Sequence, residues 1–324
     1  MCMEVEVYGP DFRPQWEKFV RAAENGTIFH RQQFLEYHPP DRFTSRHLIF
    51  RRKNRIFAIL PGAVREVKGT KTYISHPGAS YGGFVVRPRL GVRESYLVVE
   101  SFVNYLHEKH FGRAELTPPP LFYSANPNNY IEFALLKHGF GYIKRELTSV
   151  VPLPGPGIEV LSSFKSEART ATRRAQKLGV SIKESNDYED FYQILRRNLR
   201  MRHNVSPTHT LEELMRLKAH LPHEIQLFSA YLSGEQIAGV VLFLCNPRVI
   251  LAFYISHREE FQKYRSVNLL FHEIMNWGRQ RGFQYLDFGT FTLNMDPNWG
   301  LGKFKETFGA KGLFRDTFYR DLSG

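Results

Sequence analysis

The sequence predicts an α/β protein with a mixed sheet (α+β in its separation of a strand meander from crossover helices), laid down as two tandem domains over residues 1–153 and 154–324. Three observations predict it. The second half reads as helices, then three strands joined by tight turns, then helix, buried strand, helix and final strand; short links make neighbouring strands antiparallel, while helical links make them parallel. The first half repeats that order. Gly112 and Gly282 each end the helix before the penultimate strand, Gly139 and Gly309 each end the last helix, and both pairs lie 170 positions apart. Matching glycines inside matching runs of elements are the mark of a tandem repeat.

A chain of 324 residues is long for one core and comfortable for two. With 42% hydrophobic and 14% aromatic residues it is a packed protein and not a disordered one. Cys2 and Cys245 are too few and too far apart for a disulfide framework or a CxxC metal site. Cys245 closes the longest apolar run, 237–245, which is far too short to span a bilayer. The first residues, MCMEVEVYG, have no basic region followed by an apolar stretch, so neither signal peptide nor transmembrane segment is expected, and the protein reads as soluble and cytoplasmic. The formal charge of +12 points to phosphate-bearing partners: nucleic acid, nucleotide-linked substrates, coenzyme A or an anionic membrane face. Charge alone does not choose among them.

In the first half, 16–23 and 31–37 read as short helices, stopped by Asn25-Gly26-Thr27 and by Pro39-Pro40. Strands at 46–50 and 56–61 flank the polar turn Arg52-Lys53-Asn54, and 72–75 is a third. The glycine-rich stretch 76–84 is either a surface turn or a place where a ligand comes close to the backbone. Residues 94–109 form a helix whose inner face is Leu97, Val98, Ser101, Phe102, Tyr105 and Leu106. A strand at 114–117, a helix at 130–137 and a strand region at 143–153 complete the half. The tract VPLPGPG at 151–157 is unable to continue a helix or a central sheet, because proline lacks the donor and glycine is entropically costly there; the domain boundary falls in it.

The second half opens with a helix at 163–178, whose narrow seam is Phe164, Ala168, Ala171, Ala175 and Leu178. Lys165, Arg169, Arg173 and Lys177 follow at four-residue steps on one face, offset only by Glu167. That face is either a solvated surface or a ridge that meets phosphates. A helix at 190–202 runs into RMRHNVSPTHT, where His203 and His209 flank the helix-breaking Pro207 in an expected substrate loop. After a helix at 211–220 come strands at 225–232, 237–245 and 249–256, turning at Ser233-Gly234 and Asn246-Pro247.

The last sixty residues organise the rest. Val267, Leu270, Phe271, Ile274 and Trp277 recur at helical spacing and Gly282 ends the helix. Residues 283–288 are then apolar except for Gln284 and Asp287, the pattern of a strand buried on both faces. Asp287 is a carboxylate at the end of that strand. A helix at 301–308, stopped by Gly309, and a strand at 313–319 follow. The carboxyl end of a buried strand is the expected place for chemistry.

A meander followed by helix, buried strand, helix and strand resembles the GNAT acyltransferase fold. RTATRRAQKLGV at 169–180, NLLFHEIMNWGRQRGFQYLDFG at 268–289 and FKETFG at 304–309 make the tandem chain similar to the FemAB family, whose relatives include proteins with a BioF2-like acetyltransferase domain. The resemblance covers nearly the whole chain. It implies a transferase that forms an amide on an amine acceptor. FemAB enzymes move an amino acid from aminoacyl-tRNA to the peptide stem of a cell-wall precursor, and relatives move other acyl groups. Carried over by motif are the helix with Arg169 and Arg173 and the Ser266 and Asn268 turn, as substrate-binding residues, Asp287-Phe288-Gly289 at a strand end, and Phe304 with Lys305. One departure bears on the donor. GNAT enzymes that use acyl-CoA hold its pyrophosphate on a glycine-rich turn at a helix N-terminus, whereas this chain reads FQKYRSVN there, with Lys263 and Arg265 to reach a phosphate by side chain. The absence of glycine favours aminoacyl-tRNA over acyl-CoA. Neither donor is a tightly bound cofactor.

Acyl transfer to an amine needs a deprotonated amine, a stabilised oxyanion and close alignment. Lys305 is the candidate for neutralising developing negative charge, with Asp287 and Tyr254 as the other catalytic candidates and His257 at the end of the third meander strand for substrate binding. Asp287 is also explained as a structural partner of Lys305, and His257 as a turn residue. No HxxxH or HxH spacing calls for a metal, and no GxSxG, P-loop or GxGxxG sequence is present. The competing expectation is a non-catalytic module that binds an anionic polymer or lipid head group through its basic helix.

Overall fold

The computed structural model describes residues 3–75, 77–203 and 205–322 and divides into two compact units. Unit 1 runs through Glu146 and takes in the chain from Phe314 onward; unit 2 is Leu147–Leu313.

Unit 1 contains strands β1 (Glu4–Val7), β2 (Thr44–Ser45), β3 (Leu48–Arg52), β4 (Arg55–Leu60), β5 (Ala63–Val67), β6 (Thr70–Ile74), β7 (Val85–Val86) and β8 (Arg113–Leu116), with helices α1 (Arg13–Ala22), α2 (Gln32–Leu35), α3 (Val92–Glu108) and α4 (Tyr130–Lys137). β1, β3, β4 and β7 form an antiparallel sheet in that spatial order. β8 pairs in parallel with β6, which continues antiparallel through β5 to β2. Val98, Ser101, Phe102, Tyr105 and Leu106 of α3 are buried on the face that their helical spacing predicts, with Leu97 half-buried beside them and Val99 buried in addition.

β9 (Gly141–Pro152) carries the chain into unit 2, which then contains α5 (Ser166–Lys177), β10 (Ser181–Ser185), α6 (Tyr188–His203), α7 (Leu211–His220), β11 (Ile225–Leu232), β12 (Glu235–Asn246), β13 (Val249–His257), α8 (Ser266–Gln280), β14 (Tyr285–Thr290), the short pair β15 (Thr292–Leu293) and β16 (Asp296–Pro297), α9 (Trp299–Glu306) and the start of β17 (Lys311–Asp321). β10 to β13 form an antiparallel meander, β13 pairs in parallel with β14, and β14 pairs antiparallel with Thr148 and Val150–Pro152 of β9. Ser233 and Gly234, both at positive φ, make the tight turn between β11 and β12 that the sequence predicts.

Three features differ from the sequence expectation. The proline- and glycine-rich tract does not begin by leaving the sheet: Val151 and Pro152 still pair with Leu286 and Tyr285, and the Leu153 N–H donates to Gln284 O at 2.8 Å. Proline is tolerated there because it stands last in its strand. The final strand does not stay with the second half, since Phe318–Asp321 pair antiparallel with Leu116–Arg113 of β8 in unit 1. In α5 the seam is Ala168, Thr172 and Ala175, while Leu178 is left exposed past the helix end.

α8 lays Leu270, Phe271, Ile274 and Met275 on the sheet of unit 2, and Gly278 lies on the same face, where a Cβ would come within 2.6 Å of Ile250. The helix stops in a Schellman arrangement: Gly282 takes φ +83° and the Phe283 N–H donates to Gly278 O at 3.1 Å. Gly309, after α9, takes φ +87° and in addition a Cβ there would lie 2.7 Å from the carbonyl oxygen of Ser163. Gly282 has open space around it. Gly282→Ala is therefore expected to cost about 1 kcal/mol, the penalty of positive φ alone. Gly309→Ala is expected to cost about 2–4 kcal/mol because the backbone must also move. Urea unfolding of the two variants beside the wild type measures the difference.

Candidate functional site

The site begins where two parallel strands part. β13 and β14 pair at only three positions, Val249 with Tyr285, Ile250 with Leu286 and Leu251 with Asp287. β13 then continues to His257, while β14 turns at Gly289, which takes φ +72°. Past Leu251 the edge of β13 that faces β14 has no strand partner among the described residues.

A cavity of about 530 Å³ opens at this divergence. Ile255 and His257 of β13 form one wall, and Gln262 of the 3₁₀ turn Glu259–Tyr264 a second. Arg265, Ser266 and Val267 bring the N-terminus of α8 to the cavity. Asn298, Gly300, Leu301, Phe304 and Lys305, in and just before α9, close it. The first N–H groups of a helix have no intrahelical acceptor and carry positive partial charge, so this end of α8 is suited to an anion. The turn before α8 lacks glycine, yet the conformation that glycine favours is present: Arg265 itself is left-handed, at φ 56° and ψ 31°.

Lys305 is 2% exposed. Its Nζ donates to Gly289 O and to Thr290 O, each at 2.8 Å, which leaves a third N–H for the cavity that the residue lines. Burial lowers its pKa from 10.5 to about 8, with the nearby Asp287 carboxylate opposing the fall. Asp287, fully buried, is not part of the cavity wall. Its Oδ1 accepts the Thr148 hydroxyl at 2.5 Å and the Gly289 N–H at 2.8 Å, so it fixes the turn whose carbonyls hold Lys305.

Of the residues named from sequence, His257, Arg265, Ser266, Phe304 and Lys305 thus meet in one cavity. Tyr254 does not. Strand alternation turns Ile255 and His257 to the cavity and Tyr254 and Ser256 to the opposite face. There the Tyr254 hydroxyl lies 3.0 Å from His209 N and 2.8 Å from its Nδ1, and burial pushes the phenol up to about 12. Tyr192 donates to His209 O at 3.1 Å, so His209 is a buried anchor of its loop. On the same face the Asn198 amide of α6 donates to Ser256 Oγ at 2.8 Å and to His257 O at 2.5 Å. Arg169 is half-buried and Arg173 exposed on α5, away from the cavity wall, and Asn268 lies within the first turn of α8, its carbonyl 3.4 Å from Thr172 Oγ1. The side chain of His203 lies outside the described residues. Among the described residues no group of histidine, cysteine and carboxylate side chains is placed to hold a metal, and no helix is long and apolar enough to cross a membrane.

Sequence reasoning missed Ile255, Gln262, Asn298 and Thr148. Asn298 had a readable signal, an Asn just before a helix; its side chain accepts the Leu301 N–H at 3.0 Å and caps α9. Thr148 had none, because nothing local to β9 indicates that it faces a carboxylate from β14.

Residues 162–306 match the family described as an acetyltransferase (GNAT) domain. No curated protein matches the chain in sequence. Among solved structures the chain is similar to FemX, at 15% identity and a TM-score of 0.75, covering 99% of this chain and 98% of that one. It is similar to L-PGS from Bacillus licheniformis at 13% identity and a TM-score of 0.62, covering 98% and 94%. It is also similar to a tandem GNAT protein from the clavulanic acid biosynthesis pathway at 11% identity and a TM-score of 0.57, covering 99% of each. The fold is therefore the tandem GNAT fold that the sequence resemblance implies. The family match places an acetyltransferase (GNAT) domain within unit 2, whose chemistry is acyl transfer.

The buried lysine predicts a pH dependence of stability. Between about pH 8 and 10.5 the folded chain binds fewer protons at Lys305 than the unfolded chain, so stability rises with pH across that window and is reduced below it. The full span amounts to about 3 kcal/mol. Lys305→Met is expected to remove this slope, and the wild-type minus variant difference in unfolding free energy at pH 8 and pH 10 measures it.

Proposed function

We propose that unit 2 transfers an aminoacyl group from aminoacyl-tRNA to an amine acceptor in the cytoplasm, where charged tRNA is made, and that the acceptor is a cell-wall precursor. The parting of β13 from β14 above Lys305 carries this reading, because it leaves a strand edge, a helix N-terminus and a buried cation facing one space. A phosphate of the donor rests at the start of α8, held by Arg265 and the free N–H groups, with His257, Ser266 and Phe304 around the adjoining chain. The donor carbonyl lies along the open edge of β13. The acceptor amine attacks it, a C–N bond forms, and the ester C–O bond of the donor breaks. The amine gives up its proton to water, and the leaving hydroxyl takes one from water. Negative charge on the carbonyl oxygen is met by the third N–H of Lys305, the kind of preorganised donor that contributes most in such sites. Asp287 acts through the turn it fixes, as a positioning residue.

Two features support the tRNA donor over acyl-CoA. The turn before α8 carries Arg265 where acyl-CoA enzymes hold a pyrophosphate on a glycine-rich backbone, so a phosphate there is held in part by a side chain. Arg169 and Arg173 do not line the cavity and stand on α5, where they suit a donor that extends beyond it. Tyr254 then serves as support for the loop at His209. The halves 1–153 and 154–324 are proposed as copies of one ancestral unit, with the site in the second.

Two measurements test the reading. Titration with acetyl-CoA and with a charged tRNA pool is expected to show saturable binding of tRNA, and transfer to an amine acceptor, with acetyl-CoA inactive. Transfer from acetyl-CoA alone would overturn the donor, and transfer from neither would overturn the enzyme reading. In steady-state kinetics Lys305→Met is expected to lose about 10²–10³ in kcat. The wild-type kcat should fall as pH rises through about 8, where the lysine loses its proton. Arg265→Ala is expected to raise the donor KM about tenfold with kcat nearly unchanged, the loss of a charged hydrogen bond made equally in ground and transition states.

A further inference from the structure

Leu293, Met295 and Trp299 are 74%, 56% and 77% exposed, the three highest values among the exposed large hydrophobic side chains of the described residues. Leu293 and Met295 belong to one small hairpin, and Trp299 opens α9 just after it. β15 and β16 pair Thr292 with Pro297 and Leu293 with Asp296, and Asn294 and Met295 at φ 52° and 69° make the tight turn between them. The turn is unusual, because neither central residue is the glycine that positive φ favours.

The base of this hairpin is firmly held. The Phe291 N–H donates to Leu147 O at 3.1 Å, the Leu147 N–H to Thr292 Oγ1 at 2.9 Å, and the Asn298 N–H to Phe291 O at 2.8 Å. The Phe291 ring packs so closely on α9 that a Cβ on Gly302 would come within 2.9 Å of it. A rigid base and a left-handed turn together project the apolar side chains outward. Directly behind them Asn298, Gly300 and Leu301 form the rim of the catalytic cavity.

Projecting side chains are not a groove. A protein partner needs a complementary pocket for each, whereas a lipid interface yields around them, and Trp is the residue most at home at that depth. Charge selects the kind of interface. Lys303 on α9 and Arg265 across the cavity are exposed, and the chain carries a formal charge of +12. We propose that the tip of the β15–β16 hairpin and Trp299 insert into the interfacial layer of a bilayer that contains anionic lipid, which brings the mouth of the cavity to the membrane surface. The proposal stands on exposure, turn geometry and charge, and does not depend on which donor the site uses.

The test uses the full chain and vesicles of phosphatidylcholine with or without phosphatidylglycerol. The wild type is expected to co-sediment with the anionic vesicles and less with neutral ones, and its tryptophan emission to shift to the blue. Trp16 is buried and Trp277 packs in the core, so the shift reports Trp299. Leu293→Ser combined with Trp299→Ser is expected to weaken partitioning by at least about tenfold, since two apolar side chains leave the lipid. The same variant should keep wild-type turnover with a soluble amine acceptor, which separates a failed membrane contact from a failed transferase. Equal partitioning of variant and wild type, or no partitioning of the wild type, would overturn the proposal. A dimer that the double substitution dissociates would overturn it in favour of a second copy of the chain.

Discussion

The parallel pairing of β13 with β14 lasts three residue pairs, and the rest of the site depends on its ending there. Two parallel strands that stop pairing leave carbonyls and N–H groups unmatched on both edges, and buried backbone groups do not stay unmatched without cost. On the β14 side the remedy is Lys305, whose ammonium takes up the carbonyls of Gly289 and Thr290. A side chain from α9 thus stands in for a missing strand. On the β13 side no strand takes the place of β14, and a cavity remains.

That substitution explains why a lysine is buried here at all. An ammonium out of water is expensive unless hydrogen bonds and an opposite charge surround it. Lys305 has two carbonyls, and the Asp287 carboxylate acts on it through space. Asp287 in turn has the Thr148 hydroxyl and the Gly289 N–H. Each member of the set is held by the next, so the lysine is fixed before any substrate arrives. The same residues that close the end of a sheet are those that preorganise a charge beside an open strand edge.

Much of the fold was legible because local rules agree with the tertiary result. Helices α4 and α7 and strand β11 fall on the residues their periodicity predicts. For α7 the reason is visible, since Thr210 and Glu213 form a capping box at its start. Among the unread elements, β1, β2 and β10 are short and largely exposed, with no regular alternation of buried and exposed residues, so no period marks them. At the site, residue types were readable and directions were not. Tyr254 and Ile255 are neighbours in sequence, yet a register that only the bulged pairing with β12 sets turns one to α6 and α7 and the other to the cavity. The left-handed Arg265 was hidden for another reason, because sequence signals positive φ only through glycine or asparagine.

The pairing of Phe318–Asp321 with β8 has a consequence for how the chain is made. Synthesis runs from the amino end, and domains generally fold as they emerge. Unit 2 is contiguous, so every residue it needs has left the ribosome once Leu313 is clear. Unit 1 is begun before unit 2 and completed after it: residues through Glu146 hold an uncovered edge on β8 until Phe318–Asp321 emerge. A chain cut short within those closing residues would keep an intact catalytic unit and lose the completion of the other, with an exposed strand edge open to the wrong partner.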